Sequence, residues 1–499
     1  MSCSSFRSAA SLLLSIVSVI TLASCSSSLP AAIAITHVTV IDGAGTAQLP
    51  DSNVILVGAR ILAVGPSAST EIPRGARIVD GSGKFLIPGL ADMHLHLTGA
   101  GEPTGSREFI IPLLVANGIT TVRDMGGKVE YLKKLRAEID SGKRIGPEIL
   151  FTGPYLDGNP PSFQPSIVVQ NAAEAAAAVQ RLKGEGVDFI KVQSRLQPQA
   201  YYAIARESLK QNIRYVGHVP DSITAAAASD AGQASIEHLT GVLLGCSTRE
   251  EELRQRQLQR PPPGETLRQR LTRIRISERD LLDSYSQEKA LRLFQKFAAN
   301  RTWQVPTFPL LIYNPMGIPL VFGRMQNRMD KYLPKSVRAI WEDGRSQGLG
   351  GGVNSKNIPD YYKGFFELQD LLEQKEYEVV RGMNEAGVSI MAGTDATAPM
   401  VFPGFSLHED LAYLVKAGLT PMQALQAATS RPAEFLGRSA EQGTIEPGKR
   451  ADLVLLEANP LVDIRNTQTI AAVVINGKFL SRGDLDEMLA GVERFAASH

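Results

Sequence analysis

Hydrophobic and polar positions near both ends of the chain alternate in short runs bounded by turn residues. The runs are residues 36–43, 53–57, 61–64, 451–456 and 472–475. Short alternating runs separated by turn signals are typical of β-strands in a small sheet. We therefore predict that the two ends of the chain build one small β-sandwich domain together.

Between these ends the pattern changes to short apolar runs that alternate with helical stretches. The strand candidates are residues 85–94, 119–124, 148–152, 188–192, 214–218, 234–238, 303–307 and 388–395. Repeated strand–helix alternation predicts a parallel sheet, and eight units predict a closed barrel. The predicted fold class is α/β, with a (β/α)8 TIM-like barrel beside the small β-sandwich domain.

The pattern divides the chain into five parts. They are a signal segment at 1–25, the first part of the small domain at 30–85, the barrel at 86–439, the second part of the small domain at 440–485 and a C-terminal tail at 486–499. Two stretches exceed a minimal barrel, residues 247–300 and 312–375. We interpret them as solvated surface helices and a loop. The alternative is a lid, because long insertions after barrel strands lie on the active face.

Composition adds a limit on the binding partners. The chain has 499 residues, of which 43% are hydrophobic and 21% charged, as in ordinary globular proteins. Its 52 basic and 51 acidic residues leave a net charge of +1. This balance gives no electrostatic basis for binding nucleic acid or another polyanion.

The N-terminal segment has the pattern of an export signal. Arg7 carries the only side-chain charge before Asp42, and the apolar run at residues 9–20 is too short and too rich in serine for a good membrane-spanning helix. The sequence Leu22-Ala23-Ser24-Cys25 resembles the bacterial lipobox, whose cysteine is lipidated and becomes the mature N-terminus. We predict a lipoprotein held at the cell envelope, at the periplasmic or surface face of the outer membrane. The alternative is a plain secretory signal.

The chain has three cysteines. Cys3 would leave with the signal segment and Cys25 would carry lipid, so Cys246 would stand alone in the mature chain. No intrachain disulfide is then available. Cys246 is predicted to be a buried apolar residue rather than a nucleophile.

Four of the seven histidines, one lysine and one aspartate fall at or near the ends of strand candidates. They are His94, His96, Lys191, His218, His238 and Asp395. On a strand, residues i and i+2 point to the same face, so His94 and His96 can reach one ion. Taken alone, each of the six is also explained without a metal, as a packing residue, a solvated residue or a turn residue. Together, at the converging ends of barrel strands, they predict a metal site.

Seven stretches of the sequence form a recognisable set of motifs. They are residues 87–96, 118–124, 190–192, 217–218, 236–238, 392–395 and 443–454. In these stretches the chain resembles the amidohydrolase superfamily, in its imidazolonepropionase- and prolidase-like branch. The resemblance extends from about residue 33 to residue 480. It is specific for the fold and the metal site and says little about the substrate.

The resemblance implies two divalent metal ions, usually zinc. One would be held by His94, His96 and Asp395, and the other by His218 and His238. Lys191 would be N6-carboxylated and bridge both ions. This would also remove a physical conflict, because an ammonium group is repelled by two cations whereas a carbamate supplies oxygen ligands.

The implied reaction is hydrolysis of a carbon–nitrogen bond. A water shared by two cations becomes hydroxide near neutral pH and attacks a polarised carbonyl. Asp395 would take the proton from that water and pass it to the leaving nitrogen. Two further residues are candidates for substrate binding. Tyr155 would donate to the developing oxyanion unless it serves packing, and Arg123 would bind a substrate carboxylate unless it pairs with Asp124.

Three functions remain open at this point. The first is an amide or peptide hydrolase, such as a dipeptidase for Xaa-Pro or N-acyl amino acids, or a cyclic-amide hydrolase. The second is a lactonase or phosphotriesterase with the same binuclear site. The third is a non-enzymatic binding lipoprotein, because a fold alone does not settle function. The expected partners are a small-molecule substrate and, through lipid, the membrane; a homo-oligomer is left open.

Overall fold

The structure of the chain is a computed structural model. It describes residues 32–45, 48–98, 105–259, 264–313, 329–339, 341 and 360–499. The predicted signal segment with Cys25 lies outside these residues, as does most of the predicted insertion at 312–375. Within the described ranges, no helix combines the length and the apolar character needed to cross a membrane.

The strands are short, as the runs in the sequence predict. They are β1 (Ile33–Val40), β2 (Leu49–Val57), β3 (Arg60–Pro66), β4 (Arg77–Asp80), β5 (Phe85–Pro88), β6 (Leu90–Leu95), β7 (Ile119–Asp124), β8 (Glu148–Phe151), β9 (Tyr155–Asp157), β10 (Ser166–Val168), β11 (Ile190–Val192), β12 (Tyr215–Gly217), β13 (Ser235–Glu237), β14 (Trp303–Val305), β15 (Leu453–Leu456), β16 (Ile470–Ile475) and β17 (Lys478–Ser481).

The helices alternate with the central strands. They are α1 (Ile111–Ala116), α2 (Val129–Asp140), α3 (Ala172–Gly184), α4 (Pro198–Lys210), α5 (Ala225–Asp230), α6 (Val242–Gly245), α7 (Glu250–Leu258), α8 (Leu267–Asp283), α9 (Gln287–Asn300), α10 (Phe308–Tyr313), α11 (Asp360–Glu385), α12 (Phe405–Lys416), α13 (Pro421–Ala427), α14 (Ser430–Leu436) and α15 (Arg482–Ser498). A π-helical turn lies at Ser106–Ile110, and 3-10 turns lie at Asp330–Tyr332 and Ile464–Gln468.

Strands from both ends of the described chain share one sheet. Its order is β17-β16-β15-β5-β1-β2-β3, and β4 also pairs with β1. The junction between the two ends is the antiparallel pair of β5 and β15, in which Leu86 lies opposite Leu455. The side chains of Leu86, Ile35 and Val474 are buried in a cluster of their own. This sheet therefore has a hydrophobic core distinct from that of the central strands.

The central strands pair in parallel, in a three-stranded sheet β6-β7-β8 and a six-stranded sheet β10-β9-β11-β12-β13-β14. Backbone hydrogen bonds connect these sheets. Asp188 N–H donates to Phe151 O at 2.9 Å. Residues 388–395 run between β14 and β6, since Met391 N–H donates to Gln304 O at 2.9 Å and Met93 N–H donates to Ala392 O at 3.0 Å. Parallel strands joined by helices make the fold α/β, as predicted.

Two strand candidates differ from the prediction. The run 85–94 divides at Gly89 into β5 and β6, which belong to different sheets. A side chain at Gly89 would collide with Thr120, because its Cβ would lie 2.2 Å from the Thr120 hydroxyl oxygen. The run 388–395 forms only isolated bridges, at Ile390 and just beyond the run at Ala396, rather than a strand.

The segment 247–300 contains the helices α7, α8 and α9. Before it, Cys246 is a buried free thiol, as predicted, and burial raises its pKa to about 12. The residues predicted as a C-terminal tail, 486–499, belong to α15 up to Ser498. Its N-terminus is capped by Ser481, and its buried face includes Leu485 and Val492. The C-terminus of the chain is thus packed on the fold.

Candidate metal centre

The six residues predicted as metal ligands lie at or near the C-terminal ends of the parallel strands. His94 lies in β6 and His96 directly follows it; Lys191 lies in β11, His218 and His238 directly follow β12 and β13, and Asp395 follows the bridge at Ile390. The C-terminal ends of parallel strands meet on one face of such a fold. The fold therefore places all six residues near the C-terminal ends of the parallel strands.

The first group of ligands is tightly assembled. The Asp395 Oδ1 atom lies 3.1 Å from His94 Nε2 and 2.9 Å from His96 Nε2. Ligand atoms of these three residues all lie within 4.8 Å of one another. His94 Nε2 and Asp395 Oδ1 are buried, and neither has a hydrogen-bond partner among the described residues. Buried polar atoms without partners are rare, so this donor set fits a divalent cation.

The remaining predicted ligands lie beside this group. The ring centroids of His94 and His238 are 4.4 Å apart, and those of His238 and His218 are 5.0 Å apart. Lys191 is 1% exposed. The structure thus brings the residues of both predicted ion sites together.

The Nδ1 atom of each histidine ring has a polar partner on the far side of the ring. His218 Nδ1 lies 2.9 Å from Ser194 Oγ, and His238 Nδ1 lies 2.6 Å from Thr307 Oγ1. His96 Nδ1 lies 3.3 Å from the carbonyl oxygen of Gly126. Such contacts orient ligand rings and leave Nε2 for the metal.

The electrostatics of the site favour ligand forms of these side chains. The pKa of the His218 ring and that of the His238 ring both lie well below the usual value. The largest cause is burial, and the next is the charge of Lys191 for His218 and of His94 for His238. Both rings are therefore neutral, as metal ligands must be. Burial also lowers the pKa of Lys191 to about 8, against the opposing charges of Glu237 and Asp395.

The Asp395 side chain is held as a carboxylate. Burial acts to raise its pKa, but His94 and His238 outweigh burial and hold the pKa well below the usual value. Asp395 in turn affects His96. Burial acts to lower the pKa of the His96 ring, but the nearby Asp395 carboxylate outweighs burial, and the pKa is raised. The backbone of Asp395 has φ of 63°. Its N–H donates to His94 O at 2.7 Å, which fixes this uncommon conformation.

The two predicted substrate-binding residues have different environments. Arg123 is fully buried, and its guanidinium donates to Glu237 and to the Met93 carbonyl oxygen. It therefore does not pair with Asp124, which accepts from backbone N–H groups instead. Tyr155 is 8% exposed, and its ring centroid lies 6.2 Å from that of His96.

Sequence reasoning missed three buried carboxylates around the ligands. Glu237 Oε2 lies 2.8 Å from His94 Nδ1. Asp92 accepts the Thr394 hydroxyl, and burial raises the pKa of Asp92 to about 7. Asp410 accepts the N–H groups of Phe308 at 3.0 Å and Gly393 at 3.2 Å. The available signal was a carboxylate inside an otherwise apolar run, as in Leu90-Ala91-Asp92-Met93.

Comparison with known proteins points in the same direction as the geometry. A model of the amidohydrolase family matches residues 85–252 and 352–480. An imidazolonepropionase from Anaeromyxobacter sp. (strain K) is 24% identical over 424 residues, which are 82% of this chain and 84% of that protein.

Two solved structures extend the likeness to the fold. Bottromycin amidohydrolase superposes with a TM-score of 0.71 at 22% identity, over 94% of this chain and 91% of that chain. An Xaa-Pro dipeptidase with methionine bound in its active site superposes with a TM-score of 0.61 at 19% identity, over 90% of this chain and 100% of that chain. At these identities the superpositions speak for the fold alone.

Proposed function

We propose that the chain cleaves Xaa-Pro dipeptides or N-acyl amino acids. It belongs to the amidohydrolase family, whose model matches more than half of it, and it is a metal-dependent hydrolase that acts on carbon–nitrogen bonds. The observation that supports metal-dependent chemistry is the buried pair His94 Nε2 and Asp395 Oδ1. These atoms lie 3.1 Å apart, and neither has a hydrogen-bond partner in the part of the chain that the structure describes. The substrate class is proposed by analogy with the Xaa-Pro dipeptidase, with which the chain shares its fold.

We propose that the centre holds two divalent ions, with zinc as the expected metal. His94, His96 and Asp395 would hold one ion, His218 and His238 the other, and an N6-carboxylated Lys191 would bridge them. The pKa of about 8 that burial gives Lys191 supports this role, since it raises the fraction of neutral amine that can add CO2. When bound, such ions acidify water near neutral pH and polarise the scissile carbonyl.

Asp395 has the proton-transfer role in this proposal. Its ionised carboxylate accepts a proton from the attacking water and delivers it to the leaving nitrogen, so that an acid and an amine leave the site. Tyr155 lies beside His96, and burial raises the pKa of its phenol, which therefore stays protonated. The phenol would donate to the carbonyl oxygen as negative charge develops there.

Arg195 is the residue that we assign to the substrate carboxylate. It directly follows Ser194, whose hydroxyl oxygen lies 2.9 Å from His218 Nδ1. Its backbone N–H donates to Asp157 Oδ1 at 2.9 Å, which anchors this position. Its guanidinium is exposed and donates to the Pro160 carbonyl oxygen at 3.0 Å, so further N–H groups are available.

A comparison of substrates tests this assignment. Arg195→Ala should raise KM roughly 10- to 100-fold for dipeptides with a free carboxylate, because a hydrogen bond to a charged group is lost. KM for the corresponding dipeptide amides should stay unchanged. An equal rise for both substrates would contradict the assignment.

We also interpret the central strands as one closed (β/α)8 barrel and the sheet of the chain ends as a β-sandwich. The hydrogen bonds from Asp188 to Phe151 and from Met93 to Ala392 support closure. The separate hydrophobic cluster around Leu86 supports a second folding unit.

The direct test uses the chain without residues 1–25, loaded with zinc and bicarbonate. Release of amino acids from a library of dipeptides and N-acyl amino acids should reveal a narrow set of cleaved members. Asp395→Asn should be inactive, while His37→Ala, a histidine substitution at an exposed position, should retain activity. Silence across the library with two ions bound would move the function to cyclic amides, lactones or phosphotriesters. Failure to bind metal would favour the non-enzymatic reading.

Export and lipidation form a separate proposal that rests on the lipobox resemblance of Leu22-Ala23-Ser24-Cys25. In a bacterial host, the full chain should fractionate with membranes. Cys25→Ser should leave the signal unprocessed at this site and remove the lipid label. Incorporation of labelled fatty acid into the Cys25→Ser variant would rule out this anchor.

A further inference from the structure

Glu237 connects a metal ligand to a buried counter-charge. Its Oε2 atom lies 2.8 Å from His94 Nδ1. Arg123 Nη2 donates to Glu237 Oε1 at 3.0 Å and to Oε2 at 3.1 Å. The side chains of all three residues have no exposed surface. Ser235 also donates its hydroxyl to Oε1, so the carboxylate is fully engaged.

This connection joins strands that are distant in the fold. Arg123 lies in β7 and Glu237 in β13, and these strands are not neighbours in either sheet. Arg123 also donates through Nε to the Met93 carbonyl oxygen at 2.6 Å, next to His94. Glu237 directly precedes His238 in the chain. Glu237 and Arg123 together therefore link the Met93 carbonyl oxygen and the His94 ring to the strand that precedes His238.

A gain in stability does not by itself explain why Arg123 and Glu237 form a buried ion pair. Removing two charges from water costs several kcal/mol per ion, and apolar residues of similar volume are often as stabilising as a buried ion pair. A carboxylate at this position does have a specific effect on His94, because an ionised carboxylate only accepts hydrogen bonds. When His94 binds a metal through Nε2, its ring hydrogen lies on Nδ1, where Glu237 Oε2 accepts it.

That assignment accounts for the contact on the other side of the ring. His94 Nε2 and Asp395 Oδ1 are 3.1 Å apart without forming a hydrogen bond. A divalent cation bound beside these two atoms would accept a lone pair from each of them. The rings of His96, His218 and His238 have a carbonyl or hydroxyl partner at Nδ1, whereas His94 has a carboxylate.

We propose that Glu237 is a positioning residue that fixes His94 with Nε2 toward the metal and couples the ligands of the two ions, with Arg123 as its counter-charge. This inference rests on the metal centre of the proposed function, but not on the substrate. A carboxylate partner raises the basicity of a ligand imidazole, and its loss typically weakens metal binding 10- to 100-fold.

The test separates positioning from simple structural support. Cobalt(II) is titrated into metal-free wild type, Glu237→Gln, Ser235→Ala and the double variant Arg123→Met/Glu237→Leu. Affinity, stoichiometry and the visible cobalt spectrum are measured, and circular dichroism monitors folding. The double variant removes both charges together, so it avoids leaving an unpaired buried arginine and keeps the test valid if Glu237→Gln fails to fold.

We expect Glu237→Gln, where folded, and the double variant to bind cobalt roughly 10- to 100-fold more weakly with an altered spectrum. Ser235→Ala, which leaves the contact with His94 in place, should bind like wild type. A folded double variant with wild-type affinity and spectrum would overturn the inference, as would a wild-type chain that binds no cobalt. Failure to cleave dipeptides would overturn only the substrate proposal, because no readout here uses a substrate.

Discussion

The carboxylate of Asp92 accepts the hydroxyl hydrogen of Thr394 at 2.7 Å. Asp92 Oδ1 also accepts the N–H groups of His94 and Thr394, each at 3.2 Å. Asp92 therefore links β6, which carries His94, to the segment that carries Asp395, in addition to the backbone hydrogen bond from Asp395 N–H to His94 O. We expect this link to support the close approach of His94 Nε2 to Asp395 Oδ1.

Removing the Thr394 hydroxyl should weaken both stability and metal binding. Thr394→Val keeps the shape of the side chain but leaves the buried Asp92 carboxylate without one donor, at a cost of about 1–3 kcal/mol. Thr394→Ser retains the hydroxyl and serves as the matched control. Urea unfolding of the metal-free variants measures the difference. Equal midpoints for the valine and serine variants would show that the contact contributes nothing.

The role of Asp395 predicts a separation of chemistry from metal binding. Asp395→Asn should lower kcat roughly 10²- to 10⁴-fold, the usual contribution of a general acid–base group. Substantial metal should remain bound, because the histidine ligands are unchanged. Asp486→Asn, at a position 64% exposed, is the matched control. Full activity in Asp395→Asn, with metal content measured on the same sample, would rule out this role.

The grouping of the six candidate ligands could be predicted from the sequence because its signals are local. His94 and His96 share a strand face by their spacing, and His218 and His238 each directly follow a short strand. The partner of His94 gave no such signal. Glu237 and Arg123 are 114 residues apart, and no local pattern pairs them. The sequence therefore offered only a substrate carboxylate or Asp124 as partners for Arg123, whereas its fully buried guanidinium pairs with Glu237.

The limits of the fold prediction have a similar origin. Apolar residues lie on both sides of Gly89 in the run 85–94, so hydrophobicity alone could not place the break between two sheets there. The break follows from the close approach of Thr120, a contact between different strands. The structure brings Asp395 close to His94 and His96, although residues 388–395 lack continuous ladder pairing.

Lys191 provides a test of carboxylation. Wild type should bind two ions per chain when loaded with bicarbonate and fewer when CO2 is excluded. Lys191→Met should lose this dependence and bind less metal under both conditions, because no carbamate can form. Lys210→Met, at a position 70% exposed, should behave as wild type. Metal content is measured by elemental analysis, and a carbamate mass shift on Lys191 in the native protein would be direct support. Two ions in Lys191→Met would contradict the bridging role.

His408 should make stability depend on pH independently of the metal centre. Burial lowers its pKa to about 4, against a backbone contact with Asn117 that raises it, and its Nδ1 lies 2.9 Å from Thr467 Oγ1. The unfolded ring gains a proton as pH falls through about 6.5, while the folded ring stays neutral until about pH 4. The folded state thus keeps its full stability above pH 6.5 and loses about 3 kcal/mol as pH falls toward 4.

His408→Gln removes this titration and retains a polar side chain toward Thr467. Urea unfolding of the metal-free wild type and variant at several pH values between 8 and 4 should give diverging curves, with the wild type losing more stability by about 3 kcal/mol. The carboxylates of the chain titrate in both proteins, so the difference isolates His408. Parallel curves over this range would show that the folded ring is protonated as readily as the unfolded one.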